Sequence, residues 1–355
     1  MPDRVPRIAG AGLLALDVIL GEPGGPEALT FAGGTCGNVL SILSFLRWSA
    51  MPIGFIGDDP AGKRVLADLA SAGVRAAHLI QSPGWTTPVY IQRLERDETG
   101  QPRHTFASAS RCPNCGRLLG SRSKQSNVGA TPIRRFAGLE KIDVFFMDRL
   151  SEDILSLAES ARTRGALVFY EPSAKADISY WQDAFELIDV VKYSADRFDE
   201  DELAPFLGKS RRDIWEVQTL GARGLKYRRH RPRSAIEIRW IKSAAISASR
   251  IVDTCGAGDW CSAGLLHGFV ANGQKRDSAS FTKAVRLGQL LAAWACAFVG
   301  ARGAMYCNDS TTTWMAIEAL IESQQLELSQ LPTAAKRTPS AGATHSCATG
   351  LCSEG

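Results

Sequence analysis

Apolar positions along this chain gather into short β-type runs at residues 7–16, 53–56, 144–147, 167–170, 190–192 and 214–219. Between them apolar residues recur at helical spacing over 37–49, 62–72, 151–164 and 195–203. Strand and helix in alternation predict an α/β fold whose mostly parallel central sheet is covered on both faces. Residues 87–94 and 103–107 differ: two β runs flank the turn-rich segment 97–101, which predicts an antiparallel hairpin outside the main sheet.

The run from 290 to 300 (LLAAWACAFVG) is about half the roughly 20 residues that a membrane span needs, so it reads as a core helix. Two segments lack periodicity. Residues 116–131 are polar, basic and rich in Gly and Ser, the composition of a mobile loop. From about 329 to 355 almost no large apolar residue occurs, and such a tail cannot bury enough surface to offset its ordering entropy. The expected organisation is one domain over 1–328, with an insert at 111–131, and a disordered tail over 329–355.

Composition narrows the class of function. The chain has 355 residues with 45% hydrophobic and 22% charged, the profile of an ordinary globular enzyme. A net charge of +4 is too small to hold a polyanion at physiological salt, so neither nucleic acid nor a membrane surface is implied as a partner. The first twenty residues carry Asp3 and Asp17 and no clear cleavage site, and nine cysteines fit reduced thiols, which together point to the cytoplasm.

The segment carrying the most specific chemistry is Asp253-Thr254-Cys255-Gly256-Ala257-Gly258-Asp259, followed by a helical run over 260–270. Two glycines and an alanine before a helix leave backbone N–H groups unobstructed at the positive end of its dipole, an arrangement suited to a phosphoryl group. A carboxylate beside that anion site can take a proton from a substrate hydroxyl. The plainer alternative is a tight turn with Asp259 as a helix cap.

DTCGAGDWCSAG satisfies every fixed position of the C-terminal signature D-T-x-G-A-G-D-x-x-x-x-G, and the chain thereby resembles the ribokinase (PfkB) family of sugar and nucleoside kinases. The family's N-terminal signature appears in AGGTCGNVL and in GFIGDDPAGKRVLADLASAGV. The resemblance covers about 7–306. It implies a ribokinase-like three-layer sandwich with a small β-sheet lid, contributed by about 10–35 and 85–110.

It further implies that Asp17, Gly33, Gly34 and Asn38 hold the hydroxyls of a small-molecule sugar or nucleoside, that Gly256, Ala257 and Gly258 cradle the transferring phosphoryl, and that Asp259 is the base. Thr219, Gly221 and Gly224, in a T-x-G-x-x-G turn, would meet the nucleotide with Asp253, Thr254 and Gly303, and Arg223 could add a charge. The alanine-rich stretch 292–304 would border adenine. Expected cofactors are ATP, Mg²⁺ and a monovalent cation, and the expected assembly is a homodimer through the lid.

Two departures qualify the resemblance. Where the family carries N-x-x-E, which organises Mg²⁺ around the phosphates, this chain has Ser194 and Arg197. Asp196 is one residue short, on a different face of a helical turn. The usual Asp-Pro-Asn is Glu171-Pro172-Ser173. In addition, Cys112-Pro113-Asn114-Cys115-Gly116 is a knuckle that could supply half of a structural zinc site, an unmetallated turn or a redox pair; Cys347 and Cys352 lie at a looser spacing. The competing reading is a non-catalytic nucleotide- or sugar-binding regulatory protein that retains the fold.

Overall fold

The computed structural model describes residues 4–20, 29–96, 98, 102–109, 111, 141–176, 178–232, 240–243, 251–271, 273 and 277–333. A nine-stranded sheet is ordered β13-β12-β11-β10-β9-β8-β1-β4-β5. Its strands are β1 (Arg7–Ala11), β4 (Ser49–Gly57), β5 (Leu79–Ser82), β8 (Val144–Met147), β9 (Leu167–Tyr170), β10 (Val190–Ser194), β11 (Ile214–Thr219), β12 (Leu225–His230) and β13 (Ile241–Ser243). From β11 to β5 every pairing is parallel; β12 and β13 are antiparallel.

Helices α1 (Thr35–Phe45), α6 (Ala257–Ala271), α7 (Ser278–Ala295) and α9 (Ser310–Ser323) pack on one face of this sheet. Helices α3 (Glu152–Thr163), α4 (Ile178–Leu187) and α5 (Glu200–Lys209) cover the other. β8 (VFFM) and β9 (LVFY) are buried at every position, as parallel strands covered on both sides must be. Phe146 and Phe169 enter the first core, Phe145 and Val168 the second. This is the expected α/β class.

A separate four-stranded sheet, ordered β3-β2-β6-β7, contains β2 (Ala15–Leu20), β3 (Leu29–Gly33), β6 (Val89–Arg96) and β7 (Pro102–Ser108). β6 and β7 form the expected antiparallel hairpin. Leu16 and Val18 of β2 pack with α2 (Pro60–Ser71) in a third core. By strand alternation Asp17 and Ile19 face the other way, where Ile19 meets Gly300.

The single strand expected over 7–16 is two strands in different sheets. A Cβ on Gly12 would stand 1.8 Å from Asp148 Oδ1, and that same oxygen accepts the Leu13 N–H at 2.8 Å, so the chain turns there. The helix expected at 195–203 instead starts at Glu200, where Glu200, Asp201 and Glu202 complement the positive end of the dipole. The core helix expected over 290–300 stops at Ala295, and the helix expected over 37–49 stops at Phe45, with Arg47 at φ 66° beyond it.

Packing at the C-terminal end continues past residue 328. Leu328–Gln330 form a 3₁₀ turn, Leu331 is buried, and the Trp294 indole donates to the Pro332 carbonyl at 2.9 Å. Cys112, Cys115, Cys347, Cys352 and the 116–131 segment lie outside the described residues. Among the described residues no helix is long and apolar enough to cross a membrane.

Candidate active site

The chain leaves β1 toward β4 on one side and, later, β8 toward β9 on the other, so strand order reverses between β1 and β8. The crevice beyond the strand ends at such a reversal is the usual ligand site of an open α/β sheet. Asp148 stands there, at the end of β8, fully buried. Its Oδ1 accepts the Leu13 N–H and its Oδ2 accepts the Cys36 N–H at 3.1 Å, tying the loop after β1 to the start of α1. Burial pushes this carboxyl up to about 7.

The start of α6 is built around Asp253, which is completely buried. Its Oδ1 accepts the Cys255 N–H at 2.9 Å, and its Oδ2 accepts the Gly300 N–H at 2.8 Å and the Gln92 side-chain amide at 2.9 Å. One carboxylate thus joins the glycine turn, the turn after α7 and the small sheet. Gly256 sits at φ +74°, and a Cβ on it would come within 2.4 Å of Ala301 Cα, so only glycine fits. Gly258 is exposed, and a Cβ there would approach nothing closer than 3.9 Å, which leaves open space beside the turn.

Gly256→Ala is expected to destabilise the protein by on the order of 1–3 kcal/mol or more, through left-handed strain plus the clash with Ala301. Gly221→Ala is the control: Gly221 also has a positive φ of +58°, but nothing lies within 4 Å of its added Cβ. Thermal melts of the two variants should therefore differ clearly, with Gly256→Ala the lower; equal losses would count against a steric role for Gly256.

Asp259 lies in the first turn of α6, inside the helix rather than at its cap. Its Oδ2 accepts a hydrogen bond from Asn38 Nδ2 at 2.8 Å. Burial and the negative charge of Glu171 raise the Asp259 carboxyl well above the ordinary carboxylate range, while the Asn38 bond and the positive charges of Lys192 and Arg197 pull the other way. Behind it Lys192 Nζ is 2.5 Å from Glu171 Oε1, and Glu171 Oε2 accepts from the Ser262 hydroxyl. Lys192 is 1% exposed, so this is an ion pair taken out of water.

Asn38 is buried, and its Oδ1 has no hydrogen-bond partner. An amide carbonyl oxygen left in that state is ready to accept a ligand O–H. Gly33 has the Asp17 carboxylate lying where a Cβ would be, 2.0 Å from Oδ2. Gly34, at φ +81°, brings its Cα against the Leu13 carbonyl, which a Cβ would meet at 2.4 Å. Asp17, Gly33 and Gly34 thus gather at the start of α1, and Asn38 in its first turn meets Asp259. Burial pushes the Asp17 carboxyl up to about 6 against the pull of Arg302.

Arg302 was not legible as a site residue. Its buried guanidinium donates to Ser41 Oγ at 2.8 Å, to the Ala32 carbonyl and to Asp68. Asp68 also accepts the Ala32 N–H at 2.7 Å and the Tyr306 hydroxyl at 3.2 Å, and Tyr306 stacks on Phe31 at 4.6 Å. These bonds fasten β3, and with it the Gly33–Gly34 turn, to α2. In the signature G-x-x-G-x-D-x-x-G, Asp59 caps α2 through the Gly62 N–H at 2.7 Å, and a Cβ on Gly62 would stand 2.1 Å from the Gly57 carbonyl. Those residues serve packing.

Thr219 ends β11, its hydroxyl donating to the Tyr193 carbonyl at 3.4 Å. Gly221 and Gly224 bracket a 3₁₀ turn at φ 58° and 90°. Thr254 is exposed at the mouth of the glycine turn. Gly303 opens α8 (Gly303–Cys307), where a Cβ would meet Phe298 Cβ at 2.9 Å. Of the stretch 292–304, only the residues through Ala295 belong to the preceding helix.

The family model described as pfkB family carbohydrate kinase matches residues 12–308. Ribokinase from Arabidopsis thaliana, solved with ribose and ATP, is similar at a TM-score of 0.63 with 15% identity, over 90% of this chain and 99% of that one. Fructokinase from Vibrio cholerae O395, solved with fructose, ADP and calcium ion, gives 0.61 with 20% identity over 85% and 96%. A nucleoside kinase from Burkholderia thailandensis, solved with inosine, gives 0.60 with 18% identity over 90% and 97%. No curated protein matches the chain in sequence. A family match across most of the chain, on a fold shared with sugar and nucleoside kinases, establishes that this protein belongs to the pfkB family of carbohydrate kinases.

Proposed function

We propose that this protein transfers the terminal phosphoryl group of ATP to a hydroxyl, in particular a hydroxymethyl, of a sugar or nucleoside, with Asp259 as general base. The observation that carries this reading is the Asn38–Asp259 hydrogen bond, which spans 221 positions and joins the two signatures at one point. Asp17, the Gly33–Gly34 turn and the unpartnered Asn38 Oδ1 offer acceptors and backbone to a polyol. The base stands beside them.

In the step, the acceptor hydroxyl gives its proton to an Asp259 carboxylate oxygen as its own oxygen bonds to the terminal phosphorus. The bond from that phosphorus to the bridging oxygen breaks, and ADP leaves with the electron pair. The N–H groups of Gly256–Gly258, at the start of α6, stabilise the charge on the phosphoryl oxygens. In this reading the Thr219–Gly224 turn receives the rest of the triphosphate.

The residues present do not fit a divalent ion at the N-x-x-E position. Ser194 offers a hydroxyl and Arg197 a cation, which repels another cation, and among the described residues no group of three or more His, Cys, Asp or Glu side chains is placed to hold a metal.

Asp17→Ala is expected to raise KM for the acceptor at least about tenfold, the cost of one charged hydrogen-bonding partner, while KM for ATP stays within about twofold. Steady-state kinetics with each substrate varied in turn provide the check; equal effects on both would remove Asp17 from the acceptor site. The acceptor itself is found by assaying ADP release across sugars and nucleosides. ATP binding without turnover on any of them would favour the regulatory reading.

A further inference from the structure

We propose that Arg197 contacts the nucleotide phosphates directly and neutralises charge on them that a divalent ion would otherwise neutralise. This inference rests on the kinase reading above.

Arg197 closes the turn that follows β10, its N–H bonded to the Ser194 carbonyl at 3.0 Å. The same turn is joined to the Thr219 turn, because the Ala195 N–H donates to the Thr219 carbonyl at 3.0 Å and Ser194 stands in register with Thr219. Arg197 is therefore held in a turn fastened to Thr219, close enough to Asp259 in the first turn of α6 for its charge to act on that carboxyl.

Two cations come from this end of β10, and they differ. Lys192 is buried and its charge is taken by Glu171 at 2.5 Å. Arg197 is exposed, and its guanidinium has no ion pair or side-chain hydrogen bond among the described residues, although Asp196 is its neighbour. An unpaired guanidinium beside an anion-binding turn presents a planar fork of donors that matches phosphate oxygens. A surface arginine elsewhere needs no such partner; here the neighbouring groups are the base and the turns that would receive ATP.

The same position explains the departure from N-x-x-E. A carboxylate there would gather a cation to the phosphates, whereas a guanidinium supplies the cation itself. Charge compensation is then part of the chain.

The test is ATP binding by titration calorimetry, with magnesium and with EDTA, on the full chain. Wild type should bind ATP in EDTA within about tenfold of its affinity with magnesium. Arg197→Ala should lose on the order of tenfold in EDTA and, in turnover with magnesium, on the order of 10²-fold in kcat. Arg197→Glu should bind only with magnesium. Unchanged melting temperatures would show that the variants fold, as an exposed unpaired side chain predicts. Wild type that binds ATP only with magnesium, or Arg197→Ala equal to wild type in both conditions, would overturn the proposal. Absence of ATP binding in both conditions would remove the kinase reading and this proposal with it.

Discussion

Replacing Asp259 by asparagine is expected to lower kcat by about 10²–10⁴-fold, the range for loss of a general base, with folding and ATP binding retained. Asparagine is nearly isosteric and can keep a hydrogen bond with Asn38 by turning its carbonyl oxygen toward Nδ2, now 2.8 Å from Asp259 Oδ2. What it cannot do is take a proton. Melting curves and ATP titration on the same preparation separate this effect from misfolding.

The pH dependence of the wild type carries the same signature. In the proposed step Asp259 accepts a proton only when deprotonated, and its carboxyl is raised by burial and by Glu171. kcat/KM should therefore climb with pH through a limb above the ordinary carboxylate range of about 4. In Asp259→Asn that limb disappears. The linked effect on stability has the opposite sense: a carboxyl whose folded-state pKa is raised favours the fold while protonated, and that contribution is lost as pH rises through the raised value.

The second large effect is expected at Lys192. Lys192→Met should cost about 3–5 kcal/mol, because it leaves the Glu171 carboxylate buried without its counter-charge. Adding Glu171→Gln to it should recover most of that loss, since an amide leaves no uncompensated charge. Denaturant unfolding of the two single variants and the double variant forms the cycle; additive losses would show that the pair is not coupled. The activity limb of Lys192→Met should move to higher pH, because a positive charge that favours ionised Asp259 is gone.

How much of this was legible in the sequence depended on how local each feature is. Gly256, Gly258 and Asp259 announced themselves because a glycine turn and the carboxylate after it sit within four residues of one another. The order of strands and helices was readable for the same reason, from runs such as VFFM and LVFY. Element ends were read less well. The turn at Gly12 is fixed by Asp148, 135 or more positions away, and nothing near residue 12 announces it.

Long-range polar contacts were hidden in the same way. Arg302 reaches Asp68 across 234 positions, and Gln92 reaches Asp253 across 161. Their identities as partners follow only from the fold. Lys192 did leave a signal, a lone charge inside β10 (VVKYS), following two valines. A lysine buried on a central strand needs an acid nearby, and Glu171 at the end of the adjacent β9 is the candidate that strand order supplies.

The most direct test of the account is transfer of label from ATP carrying ³²P at its terminal phosphate, followed across a panel of sugars and nucleosides. Wild type should place the label in a phosphate ester of one acceptor class, at a rate that Asp259→Asn reduces by about 10²-fold or more without loss of ATP binding. Label transferred equally by both proteins would contradict the role given to Asp259, and ATP bound with no label reaching any acceptor would contradict the kinase reading.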